Sequence, residues 1–123
     1  MSTNNIMLSK RRKNRSGFKR DPNFPLGLVR SLVKSDTTVF IRENARQTAQ
    51  KDFGWDIDDI KKAIKNLKRK DFYKPDNNYY DTSIKIDYYK AYGLNGENVY
   101  THFTIDKDSD GNKILIIQSF KRI

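Results

Sequence analysis

Residues 83–106, SIKIDYYKAYGLNGENVYTHFTID, decide the fold. Up to Pro75 the apolar residues recur at helical spacing; after it the period drops to two. Ser83 to Tyr92 alternates, with Ile84, Ile86 and Tyr88 on one side. Asn98 to Asp106 alternates too, with Val99, Thr101, Phe103 and Ile105 against Tyr100, His102 and Thr104. Gly93-Leu-Asn-Gly96 between them carries hairpin turn chemistry. Downstream, Asn112 to Arg122 is β-rich, and Asp106 to Asn112 supplies a second turn. Three consecutive strands joined by short turns predict an antiparallel meander.

Upstream the pattern is helical. Pro25 suits a first helical turn, and Leu28, Val29, Leu32 and Val33 predict a helix over 26–35. Thr37 to Ile41 is β-branched and aromatic, a short extended segment. Asn44 is a candidate cap for a second helix carrying Ala45, Ala49 and Phe53, which Gly54 ends. Asp56 caps a third helix, 57–67, with an Ile57, Ile60, Ile64, Leu67 stripe. Asp58 and Asp59 at its start and Lys68, Arg69 and Lys70 just past its end suit the helix dipole. Helices first and strands afterwards give an α+β class, with the short N-terminal helices packed on one face of a small antiparallel sheet.

The chain has 123 residues, a natural length for one domain, and a net charge of +10. Residues 1–20 hold seven basic side chains and no acid, so the rest carries only +3. That composition, without hydrophobic periodicity, predicts a disordered basic arm. The arm is expected over 1–24 and a single domain over 25–123. Zero cysteines exclude a disulfide scaffold and a thiol nucleophile, and a single histidine argues against a His-cluster metal site. No apolar run has the length of a membrane span and no apolar segment opens the chain, so a cytoplasmic protein without membrane contact is expected.

Asp106, Asp108, Asp110 and Gly111 mimic the start of a calcium loop, but position 12 is Ile117, where a bidentate Glu is required. A hairpin turn is the expectation, and no metal or other cofactor is assigned. His102 should point to the face opposite Phe103. The seven tyrosines all lie in the second half, interleaved with Lys74, Lys85 and Lys90. Such a surface can stack unpaired bases and hold phosphates.

The segment WDIDDIKKAIKNLKRKDFYK, Trp55 to Lys74, resembles the helix-plus-DFYK signature of the MqsR toxins, the motility quorum-sensing regulator family. Similarity continues through Tyr79 to Asp81, Asp87 to Lys90, Gly96 to Tyr100 and Ser119 to Lys121, and Leu28 to Lys34 resembles the family's first helix. The resemblance spans roughly residues 26–122. It implies a RelE-like toxin fold and a type II toxin neutralised by a cognate antitoxin. It also implies a metal-independent endoribonuclease that cuts single-stranded mRNA by attack of the ribose 2′-OH, inhibiting translation and growth. By position it assigns catalytic roles to Lys74, Tyr100 and Lys121; a family glutamine falls on Ile86, which can neither donate nor accept, so either a one-residue bulge brings Lys85 or Asp87 into its place or that role is absent.

Lys74 and Lys121 are expected to hold the scissile phosphate and Tyr100 to transfer or position a proton. Neighbouring cations are expected to lower the ordinary value near 10 of a Lys or Tyr toward neutrality. His102, Lys85, Tyr79, Lys90 and Arg122 complete the expected RNA contacts, and the free toxin is expected to be a monomer. The alternative is a non-catalytic RNA- or ribosome-binding module using the same basic, Tyr-rich surface.

Overall fold

The computed structural model describes residues 21–123. The basic run of residues 1–20 lies outside the described residues. Three helices, α1 (Leu26–Val33), α2 (Glu43–Phe53) and α3 (Ile57–Lys65), pack on a five-stranded sheet. The strands are β1 (Val39–Ile41), β2 (Phe72–Asn77), β3 (Lys85–Leu94), β4 (Glu97–Lys107) and β5 (Lys113–Arg122). Their order across the sheet is β1-β5-β4-β3-β2. The α+β class and the meander of β3, β4 and β5 stand as expected.

The sheet is larger than the meander and mixed. β1 adds itself parallel to β5, Val39 opposite Leu115 and Ile41 opposite Ile117. β2 adds itself antiparallel to β3 at the other edge, despite Pro75. A proline lacks the amide needed by an interior strand, but an edge strand has one side without a partner.

Local chemistry explains the elements. The β3–β4 hairpin turns on Asn95 and Gly96, both at positive φ (49° and 89°). Two residues with positive φ make the turn whose twist matches the flanking strands. Asp56 caps α3 through a reciprocal box: its side chain accepts from the Asp59 amide at 3.0 Å, and Asp59 accepts from the Asp56 amide at 3.1 Å. Such a cap contributes about 1 kcal/mol. Gly54 ends α2 in the left-handed conformation. Asn44 is not the α2 cap: Arg42 holds that position, and the Asn44 side chain instead donates to the Gln118 carbonyl at 3.0 Å. Arg30 of α1 donates to the carbonyls of Lys65 and Leu67, satisfying the end of α3.

One core fills the space between helices and sheet. Val29, Val33, Ala45, Ala49, Ile60, Ile64 and Leu67 meet Phe72, Tyr89, Val99, Phe103, Leu115, Ile117 and Phe120. Residues 21–24, read from the sequence as part of the arm, are tied to the sheet. The Asn23 and Phe24 amides and the Asn23 side chain donate to the buried carboxylate of Asp87 at 2.8–3.0 Å. Burial raises the Asp87 pKa, and those three bonds oppose the rise. The acidic run after β4 is a turn: Asp108 Oδ1 accepts from the amides of Asp110 and Asn112. None of the described helices is long and apolar enough to cross a membrane.

Candidate functional site

Strand alternation leaves the opposite face of the sheet free for other chemistry. On β4, Val99, Thr101 and Phe103 enter the core, so Tyr100 and His102 face away from it. On β3, Asp87, Tyr89 and Ala91 are buried, so Tyr88 and Lys90 face away. The pairing register stacks these outward residues into two rungs. One runs Lys74, Tyr88, His102, Ser119; the other runs Lys90, Tyr100, Lys121.

Lys74 and Lys121 lie three strands apart, about 15 Å at the backbone. Their side chains rest over neighbouring rings. The Lys74 ammonium lies 5.1 Å from the Tyr88 ring centre, and that of Lys121 lies 5.2 Å from Tyr100. The two rings are 6.2 Å apart. Lys90 adds a third cation, 4.1 Å over Tyr73. His102 lies 4.7 Å from Tyr88 and 5.9 Å from Tyr100, centre to centre. Three ammonium groups over an aromatic floor are chemically suited to hold phosphate, with stacking faces beside them. One carboxylate tempers the charge: Asp76 Oδ2 is 3.7 Å from Lys74 Nζ.

Two bulges build the ends of this face. In β2 the register skips Tyr73, between the pairs Phe72–Tyr89 and Lys74–Tyr88. In β5 it skips Gln118, between the pairs His102–Ser119 and Phe103–Ile117. A bulge re-aims side chains that strict alternation would send elsewhere. Gln118 reaches His102, Oε1 to Nδ1, at 3.0 Å.

The protonation picture differs from the expectation for Tyr100. Its hydroxyl is pushed up, first by desolvation and then by Tyr88 and Tyr73. Tyr88 is pushed up as well, by desolvation and by Asp76, against the opposing charge of Lys74. Both therefore stay neutral at pH 7. His102 moves the other way: desolvation lowers its pKa, Gln118 partly offsets this, and Lys121 and Arg42 lower it further. Its imidazole is neutral near pH 7.

Of the residues singled out in the sequence, Lys74, Tyr100, Lys121, His102 and Lys90 come together. Three do not join them. Lys85 bonds to Asn77 and to the Thr82 carbonyl beside the β2–β3 loop. Tyr79 sits in that loop against Tyr80, 88% exposed. Arg122 turns its guanidinium over the Phe53 ring, donating to the Asp52 carbonyl and pairing with Glu97. Ile86 is buried and no bulge displaces it: it pairs directly with Asp76. Sequence reading missed Gln118 entirely. The only hint was that Ile117 and Phe120, three apart, both look like core residues, which a strand without a bulge cannot satisfy. Among the described residues no group of three or more His, Cys, Asp and Glu converges to hold a metal ion.

A sequence model of the family described as motility quorum-sensing regulator, toxin of MqsA, matches residues 21–122. Among curated proteins nothing matches the chain.

Proposed function

The chain belongs to the motility quorum-sensing regulator toxin family and is thereby a toxin with a cognate antitoxin as partner; from that premise we propose that it is an endoribonuclease that cuts single-stranded mRNA. The observation that carries the reading is the open sheet face, where Lys74 and Lys121 rest over the neighbouring rings of Tyr88 and Tyr100.

The reaction requires charge on a pentacoordinate phosphate and proton transfer at two oxygens. Lys74 and Lys121 supply the charge, which is usually the largest contribution. They hold the nonbridging oxygens of the scissile phosphate between them. The ribose O2′ attacks phosphorus, the P–O5′ bond breaks, and the products are a 2′,3′-cyclic phosphate and a 5′-hydroxyl. Tyr100 keeps its proton at neutral pH and gives it to the departing O5′, a much stronger base than a phenolate. Lys90 and Tyr73 extend the phosphate and base contacts along the strand of RNA. These side chains supply the charge at phosphorus and the proton at O5′, and leave the proton of the 2′-hydroxyl to a further group. Cutting mRNA inhibits translation, and cytoplasmic location follows from the substrate.

The test is direct. Purified full-length protein, free of antitoxin and in chelator, is incubated with single-stranded RNA. Fragments with cyclic phosphate and 5′-hydroxyl ends are expected. Intact RNA, bound in a salt-dependent manner, would instead favour a non-catalytic binding module on the same surface.

A further inference from the structure

His102 is the only histidine in the chain, and the β5 bulge is built around it. The bulge is braced by bonds to the carbonyls around it. The Ile117 carbonyl keeps its place in the β1–β5 pairing, accepting from the Arg42 amide at 3.0 Å. The Gln118 carbonyl accepts from Asn44 of α2, and the Ser119 carbonyl from Thr101 Oγ1 at 2.7 Å. The bulge is thus anchored from α2 and β4, and the direction of the Gln118 side chain is set by its backbone. That side chain meets His102 Nδ1.

An amide oxygen only accepts, so its partner Nδ1 must carry the hydrogen. The lone pair of the neutral ring then lies on Nε2. The groups facing the ring are Tyr88 from β3, Tyr100 on its own strand, Lys121 and Gln118 from β5, and Arg42 at the start of α2. No carboxylate is among them. Only the Gln118 amide favours the protonated ring, against burial and the charges of Lys121 and Arg42.

We propose that His102 is the general base of the cleavage reaction, with Gln118 as the positioning residue that presents Nε2 to the ribose 2′-hydroxyl. The assignment rests on the ribonuclease reading above and adds the one role left open there. Nε2 takes the 2′-OH proton as the O2′–P bond forms. The P–O5′ bond breaks with its electron pair, and O5′ takes the proton of Tyr100. Imidazolium and phenolate then exchange a proton through water, restoring the starting state. A lysine pair could hold the phosphate unaided, but an ammonium nitrogen has no lone pair with which to accept that proton. Ile86, where the family resemblance puts a glutamine, contributes no polar atom, whereas Gln118 stands two strands away beside the histidine.

The experiment uses tag-free full-length protein, so that one imidazole signal reports one residue. In the wild type the cleavage rate should fall on the acid side with the apparent pKa of that imidazole, and nitrogen shifts should show hydrogen on Nδ1. His102→Gln should lose at least about 100-fold in kcat and lose the acid limb, with its thermal midpoint retained. Gln118→Glu places a carboxylate against Nδ1. It should raise the imidazole pKa, and the acid limb should move to higher pH by the same amount. Gln118→Ala should lose roughly tenfold in kcat. A merely structural Gln118 would move neither the limb nor the tautomer.

Wild-type cleavage with His102→Gln within tenfold of it overturns the assignment while leaving the ribonuclease reading intact. So does an acid limb that stays put in Gln118→Glu, or hydrogen found on Nε2. Wild-type protein that leaves RNA whole overturns both.

Discussion

The two faces of one sheet are made from the same strands and do opposite things. On the helix side, Val99, Phe103, Leu115, Ile117 and Phe120 are fully buried in one apolar core. On the open side, the residues between them are Tyr100, His102, Lys121 and their neighbours from β2 and β3. Period-two alternation separates stability from chemistry at single-residue spacing. The helix-side residues must fill space and the open-side residues must not be covered. The faces exchange features at defined points. Asp87 and Tyr89 carry polar groups into the core, and the two bulges re-aim Tyr73 and Gln118 beside Lys90 and His102.

The widest separation should come from Phe103→Ala. Removing a fully buried ring costs about 3–5 kcal/mol, read as a lowered midpoint in denaturant. Lys74→Ala, on the exposed side, should do the reverse. Cleavage should fall about 100- to 1,000-fold, equivalent to roughly 3–4 kcal/mol at the transition state, with stability changed by less than about 0.5 kcal/mol. A large stability loss at Lys74 would break the division of labour.

Asp87→Ala removes the acceptor for three hydrogen bonds from Asn23 and Phe24. About 1–3 kcal/mol should be lost, and protease should gain access to residues 21–24. The same carboxyl has a raised pKa in the folded state. Its contribution is therefore full below its unfolded value near 4 and declines as pH rises through the folded value. In Asp87→Ala that component of the stability–pH profile should disappear. The smallest effect belongs to Tyr89→Phe. Its hydroxyl is buried without a hydrogen-bond partner, so its removal should be neutral or stabilising by up to about 1 kcal/mol. A loss beyond 1 kcal/mol would mean that the hydroxyl has a partner, such as a bound water.

Parts of the candidate site were legible before the fold. The alternation Val99, Thr101, Phe103 already turned Tyr100 and His102 to the other face. Lys74 and Lys121 stood out only through the family resemblance, because a lysine near a strand end is ordinarily a solvated charge. Arg122 shows the limit of adjacency: one residue from Lys121, its guanidinium lies over Phe53 of α2 and donates to the Asp52 carbonyl. β2 was hidden by Pro75, which reads as a strand breaker unless the strand is known to lie at an edge.

Local chemistry determined what neighbouring residues decide among themselves. The Asp56 cap, the Gly54 stop, the Asn95-Gly96 turn and the two-residue period of β3 and β4 were all readable from spacing and side-chain type. Tertiary structure decided what distant segments settle together: the parallel addition of β1, the strand order and the register. The register set His102 opposite Ser119 and left Gln118 over. That skipped residue exists because Ile117 and Phe120 must both reach the core, and the chain absorbs the mismatch in a bulge held by α2. No local pattern specifies a bulge of this kind. It is a compromise between two packing demands, and it exists only once both partners are in place.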